Sequence, residues 1–206
     1  MTTTPDLHPA QNRGLRELVA TTRQLADHWS ALAPRVKGAA ARTLERGATG
    51  AEDLTAAVKP LMEARGLYGG PAAQSVGKSL AGSRSRVGDR FLERNQALRT
   101  AVLDVQHVVT LLGYQAQIAE TRSDGELATV LRRHERKLLT VERATRKAAV
   151  ELGKKPDVAI ERVDPSPAGR VAHGEANAVG TVGEWVDRRS AGGEPGVSAR
   201  RTTAGR

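Results

Sequence analysis

Apolar residues recur at alternating steps of three and four along three stretches of the chain, a spacing typical of helices that pack against other helices. The longest stretch covers residues 91–121, and residues 15–32 and 127–152 repeat the same steps. A second apolar stripe lies on the opposite side of the longest stretch, at Leu111, Tyr114 and Ile118. A helix that is apolar on two sides is typical of one flanked by other helices. We therefore predict an all-α bundle of five or six helices around the segment 91–121.

The strongest structural prediction is an antiparallel hairpin of residues 91–121 with residues 127–152. The connection between them is short, so the second helix must fold back along the first. Ser123 and Glu126 have the spacing of a capping box, which predicts that the second helix starts beside Ser123. Gly153 and the residues after it, which include Pro156, indicate its end.

In the N-terminal half, the first helix is predicted to end at Pro34, because the residue before a proline is pushed out of the α region. A short Ala-rich helix is predicted over residues 35–46, with Gly47 as its C-terminal stop. Thr49 and Glu52 form another capping box, which predicts that a separate helix begins there.

Domain limits follow from where the periodicity stops. Residues 6–190 are predicted to form a single helical-bundle domain, whose last helix runs from about 166 to 189 and is rich in small residues. Residues 191–206 are Gly, Ser, Thr and Arg without periodicity, which predicts a disordered basic tail. Whether residues 71–90 continue into the central helix is left open, because three glycines weaken the helical pattern there.

Composition narrows the class of protein. The chain has no cysteine, which excludes disulfides and thiolate metal sites. Its N-terminus has neither a basic start nor an apolar run, so no signal peptide is predicted. The most apolar segment, residues 101–119, contains charged and amide side chains that make a poor membrane span. We predict a cytoplasmic protein with no membrane association.

Positive charge is concentrated on the second arm of the hairpin. The chain has a net charge of +9, and residues 122–155 hold ten Lys and Arg against five Asp and Glu. With the apolar seam facing inward, seven of these cations fall on the outward side of the helix. This basic ridge consists of Arg132, Arg133, Arg136, Arg143, Arg146, Lys147 and Lys154. At 1.5 Å per residue it would be about 33 Å long.

The basic ridge is the basis of the leading functional hypothesis, which is that the protein is a non-catalytic interaction module that docks to an acidic partner. Either a nucleic-acid backbone or an acidic protein surface has the required charge. No aromatic residues interleave with the arginines, so base stacking is not predicted. The alternative is a solvated face that keeps the protein soluble.

A second hypothesis, of a metal-binding or redox bundle, depends on Asp104 and His107. Three residues apart on a helix, they share a face, and ferritin-like bundles use a carboxylate and a histidine at this spacing. The carboxylate here is Asp rather than Glu, and the facing helix has no matching pair, since Glu142 is followed by Thr145 at that spacing. The alternative is a structural Asp–His hydrogen bond that reaches another helix.

His134 lies in the hairpin seam and is the candidate for a buried proton switch. Counting outward from the turn sets it level with Gly113, so the alternative is steric: the imidazole fits over a residue without a side chain.

Catalytic motifs are weak. Residues 72–79 fit a relaxed P-loop pattern, but a turn rather than a buried strand precedes them. No nucleophile elbow or zinc-type histidine spacing is present. The sequence therefore indicates a protein that is not an enzyme and predicts no cofactor. A third hypothesis is an oligomeric structural protein, since long apolar seams also pair between chains.

Overall fold

A computed structural model of the protein describes residues 7–67, 92–164 and 166. The regular elements in these ranges are helices, which confirms the predicted all-α bundle. Short 3₁₀ segments follow the first and fourth helices, at Ala33–Arg35 and Leu152–Lys154. The α-helices are α1 (Pro9–Leu32), α2 (Ala39–Glu63), α3 (Arg94–Thr121), α4 (Gly125–Glu151) and the single turn α5 (Pro156–Ala159).

The four long helices pack in a ring. Helix α1 lies against α2 and α3, and α4 also lies against α2 and α3, so α1 and α4 occupy opposite corners. Neighbouring helices are antiparallel: Arg65, just after α2, meets Asp124, just before α4, and Glu120, at the end of α3, meets Arg132, near the start of α4. Helices α2 and α3 therefore run in the same direction, and residues 67 and 92 lie at opposite ends of the ring.

The core is built almost entirely from Leu, Val and Ala, with Trp29 of α1 as its largest buried side chain. Trp29 lies directly over Gly47 of α2, where an added Cβ would overlap its indole ring. The predicted stop at Gly47 and restart at Thr49 are wrong, because α2 continues through both positions. Gly47 serves the close approach of α1 to α2.

The predicted capping box at Ser123 and Glu126 is also wrong. Ser123 has a φ of 58° and lies in the turn, and Asp124 caps α4 instead by accepting a hydrogen bond from the backbone N–H of Leu127 at 3.2 Å. Glu126 reaches Arg65, at 3.4 Å, rather than the backbone.

Helix α3 buries most of one of its two apolar stripes. Its seam residues, including Leu98, Val105 and Leu112, are buried. In the second stripe, Leu111 and Ile118 are partly buried and Tyr114 is 53% exposed. One side of α3 is therefore open among the described residues.

Several predictions fall outside the described ranges. They are residues 71–90 with the P-loop-like segment 72–79, the last helix beyond residue 166 and the tail 191–206. The predicted start of the central helix at residue 91 is wrong, because Glu93 is the extended N-cap and the helix begins at Arg94. The domain limits 6–190 consequently stay a prediction. Within the described ranges, none of the helices combines the length and the apolar character needed to cross a bilayer.

Candidate binding surface

The outward face of α4 is set by the burial of its opposite face. Leu127, Leu131 and Leu138 are almost completely buried against α2 and α3. Because α-helical positions three or four apart share a face, the side of α4 opposite these leucines points to solvent. The exposed members of the basic ridge are Arg133, Arg136, Arg143, Arg146, Lys147 and Lys154.

Arg132 belongs to the hairpin rather than to the open surface. Its guanidinium donates to Glu120 on α3 at 2.8 and 3.0 Å and to Glu135 on its own helix at 3.0 Å. The hydrogen bonds from Arg132 lower the pKa of Glu120, and those carboxylates raise the pKa of Arg132 in turn. Arg132 thus links α3 to α4 with its charge neutralised.

Arg146 is likewise engaged within the molecule. It donates to Glu142, one turn before it, at 2.5 and 3.0 Å. Glu142 is almost buried and also accepts from the Gln106 amide of α3 at 3.3 Å. The Arg146 charge therefore balances a buried carboxylate, although half of its side chain is exposed.

The other five cations are exposed, and we call them the open ridge: Arg133, Arg136, Arg143, Lys147 and Lys154. Lys147 is 3.9 Å from Glu151, and both side chains are exposed. The other four make no ion pair with any residue that the structure describes. From Arg133 to Lys154 the open ridge extends about 31 Å along α4 and the turn after it, at 1.5 Å per residue.

Asp104 and His107 both face α1, but they do not form one site. The Asp104 carboxylate is 2.8 Å from Nδ1 of His28, and Nε2 of His107 is 3.4 Å from the carboxylate of Glu17. The hydrogen bond between Asp104 and another helix agrees with the structural alternative. No group of three or more His, Cys, Asp or Glu side chains suited to a metal ion occurs in the described ranges.

His134 is buried, with 3% of its surface exposed, and neither ring nitrogen has a hydrogen-bond partner among the described residues. Burial lowers its pKa, with smaller contributions from Lys137 and Arg133, while Asp53 of α2 acts in the opposite direction. The proposed contact with Gly113 is wrong: the side chain over Gly113 is Glu135, whose Oε1 would be 2.8 Å from an added Cβ.

The sequence did not predict two features, a groove lined by exposed apolar residues and the histidine partner of Asp104. Leu103 and Val150 are 51% and 72% exposed, and both line a groove between α3 and α4. They could have been found as large apolar residues that lie off the seam spacing. His28, the partner of Asp104, gave no comparable signal, because it is polar and lies beside the apolar stripe of α1.

Comparison with known proteins does not assign the chain to a family. No protein-family model matches the chain, and neither a curated protein sequence nor a solved structure shows significant similarity to it.

Proposed function

We propose that the protein is a non-catalytic interaction module that docks to an acidic macromolecule through the open ridge. The observation that supports this is the arrangement of charge on α4. Arg132 and Arg146 have carboxylate partners within the bundle, whereas Arg133, Arg136 and Arg143 have none in the described ranges and point to solvent.

The shape of the ridge favours a macromolecular partner over a small anion. The five cations follow the convex side of one helix rather than converging on a pocket, and small-molecule sites are concave. A row of separate cations matches an extended acidic surface, which can be a nucleic-acid backbone or an acidic stretch of protein. Attraction of this kind weakens as salt screens the charges.

The test is binding of two labelled polyanions, a DNA duplex and poly-glutamate, to the full chain by fluorescence anisotropy over a range of salt concentrations. We expect affinity for at least one of them to fall steeply with added salt. The triple variant Arg133→Glu/Arg136→Glu/Arg143→Glu is expected to bind at least about ten-fold more weakly and with a smaller salt dependence.

The matched control changes the net charge by the same amount elsewhere. Arg13, Arg23 and Arg42 are exposed cations on α1 and α2, and their replacement by Glu is expected to change affinity by less than about three-fold, since screening weakens charges far from the contact. If both triple variants lose binding equally, total charge rather than the ridge is responsible, and the proposal is wrong.

The ferritin-like and oligomeric hypotheses have no supporting contact of their own in the described residues and stay predictions from the sequence. Metal analysis of protein purified without chelator tests the first, and light scattering tests the second.

A further inference from the structure

A groove runs between α3 and α4 on the outer side of the bundle, next to the open ridge. Its larger section has a volume of about 690 Å³, and a second section of about 560 Å³ continues it toward the middle of the hairpin. The two sections share Gln106 and Arg146 as lining residues. They therefore form one continuous depression that follows the axes of both helices.

The larger section presents apolar side chains to solvent. Leu103 on α3 is 51% exposed, and Val150 on α4 is 72% exposed. The antiparallel register given by the Gln106–Glu142 and Arg132–Glu120 contacts places the two within about one helical turn of each other. Exposed apolar groups that line one depression are a mark of an interaction site.

Cations border this apolar centre on both sides. Arg99 lines the groove on the α3 wall and is exposed, with its guanidinium bound only to the Asn95 amide oxygen among the described residues. On α4, Arg143 and Lys147 of the open ridge are exposed and directly follow the lining residues Glu142 and Arg146 in sequence, so they lie beside the groove. The one carboxylate in the lining, Glu142, is nearly buried and bound to Arg146.

We propose that this groove is the docking site for an acidic amphipathic helix of a partner protein. The inference rests on the proposed function, because the same open ridge supplies part of the charge, and it narrows the partner to one chemistry. An apolar stripe on the incoming helix covers Leu103 and Val150, and carboxylates on its two flanks meet Arg99 in the α3 wall and Arg143 and Lys147 beside the α4 wall. Helix-in-groove recognition has this form.

The alternatives fit the same surface less well. A second copy of the chain would bring Arg99, Arg143 and Lys147 against the same cations, which is unfavourable. A nucleic acid would match the cations but would leave Leu103 and Val150 with no apolar partner, and no Phe, Tyr or Trp side chain lines the groove for stacking on bases. The α3 lining of the larger section extends from Leu92 to Gln106, which is about 21 Å, or about four turns of a helix.

The experiment uses the full chain and a designed fluorescent peptide of about five turns, with Leu at i, i+3, i+4 and i+7 positions and Glu on the flanks. A second peptide has the same composition but a scrambled order, so that its leucines share no face. We expect the amphipathic peptide to bind and to gain helical circular dichroism. The scrambled peptide is expected to bind at least about ten-fold more weakly, because it cannot place apolar groups and carboxylates together.

Two variants test whether the peptide binds in the groove rather than to the open ridge alone. Leu103→Gln/Val150→Gln is expected to weaken binding of the amphipathic peptide at least about ten-fold while leaving poly-glutamate binding unchanged, since the lost contacts are apolar. Tyr114→Gln is the matched control: its side chain is equally exposed on the same helix but does not line the groove. This control is expected to bind as the wild type does.

Each contrary result has a distinct meaning. Equal binding of the two peptides, or no effect of Leu103→Gln/Val150→Gln, overturns the groove inference and leaves the proposed function standing. If a DNA duplex binds more tightly than the amphipathic peptide and Leu103→Gln/Val150→Gln does not change its affinity, the groove inference is also overturned and the proposed function stands. Self-association that disappears in the groove variant assigns the groove to a second copy and also overturns the inference. Failure of every polyanion and peptide to bind overturns both proposals.

Discussion

Arg65 and Asp124 form a buried ion pair that fastens the end of α2 to the start of α4. Two guanidinium nitrogens of Arg65 donate to the two carboxylate oxygens of Asp124, each at 2.7 Å, and both side chains are only 6% exposed. Asp124 also caps α4. The hydrogen bonds from Arg65 hold the pKa of Asp124 below its ordinary value, although burial opposes this shift.

We predict that Asp124→Ala lowers the free energy of unfolding by about 3 kcal/mol, because it removes a helix cap and leaves the Arg65 charge buried beside only Glu126. Chemical denaturation measures the change. Glu126→Ala is the control and is expected to cost less than about 1 kcal/mol, since the Glu126 side chain is largely exposed. Equal losses in the two variants would contradict the structural role given to Asp124.

His134 makes stability depend on pH in a predictable direction. Its pKa in the folded state lies below that in the unfolded chain, so the unfolded chain takes up the proton first as the pH falls. The free energy of unfolding is therefore predicted to decrease from about pH 7 toward about pH 5. His134→Leu places a non-titrating apolar group of similar size in the seam and should remove this part of the decrease. Urea unfolding at several pH values measures it, with His107→Gln, at a half-exposed site, as the control that should retain it.

At the scale of single residues, the sequence predicted surface positions better than partners. The outward position of Arg133, Arg136 and Arg143 followed from helical periodicity alone. The cap at Asp124 and the position of the Glu135 side chain over Gly113 did not, because each depends on which rotamer or turn conformation is chosen among neighbouring polar residues. Ser123 and Asp124 are both good caps by residue type, and only the positive φ of Ser123 excludes it.

At the scale of elements, α2 continues as a single helix through Gly47. This glycine allows α1 to pack closely against α2 and does not end the helix. An alanine there would push into the Trp29 ring, while at Gly50 an added Cβ would meet Leu138 at an ordinary 3.6 Å. We predict that Gly47→Ala destabilises the protein by about 1–3 kcal/mol through overpacking. Gly50→Ala should instead stabilise it by up to about 1 kcal/mol through helix propensity.

Thermal unfolding of the two alanine variants measures both effects in one helix. If Gly47→Ala were as stable as Gly50→Ala, the close approach of α1 and α2 at Trp29 would be contradicted. The sequence indicated a break in α2 because Gly47 resembles a C-terminal stop and the capping-box spacing of Thr49 and Glu52 follows it. Only the position of Trp29 on α1 shows that Gly47 allows close helix packing rather than ending α2.

At the scale of the whole molecule, the three-and-four spacing predicted an all-α bundle but could not give the order of helices in the ring. The apolar faces of the long helices show which sides are buried, but they do not show which helix packs against which. The pairing of Arg132 with Glu120 shows the consequence. These residues are on different helices and meet only once the register of α3 against α4 is set, so the sequence assigned Arg132 to the free surface.

This division of the basic ridge gives a final prediction about the molecule as a whole, that binding and folding use different arginines. The variant Arg133→Glu/Arg136→Glu/Arg143→Glu should melt within a few degrees of the wild type, because these side chains are exposed and carboxylates at 133 and 143 would face Lys137 and Lys147 at i,i+4. Arg132→Glu should melt clearly lower, because three carboxylates would then meet where Glu120 and Glu135 now share a cation. Calorimetry of the two variants decides the matter: if the triple variant unfolds earlier than Arg132→Glu, the open ridge is part of the fold rather than a surface kept free for a partner.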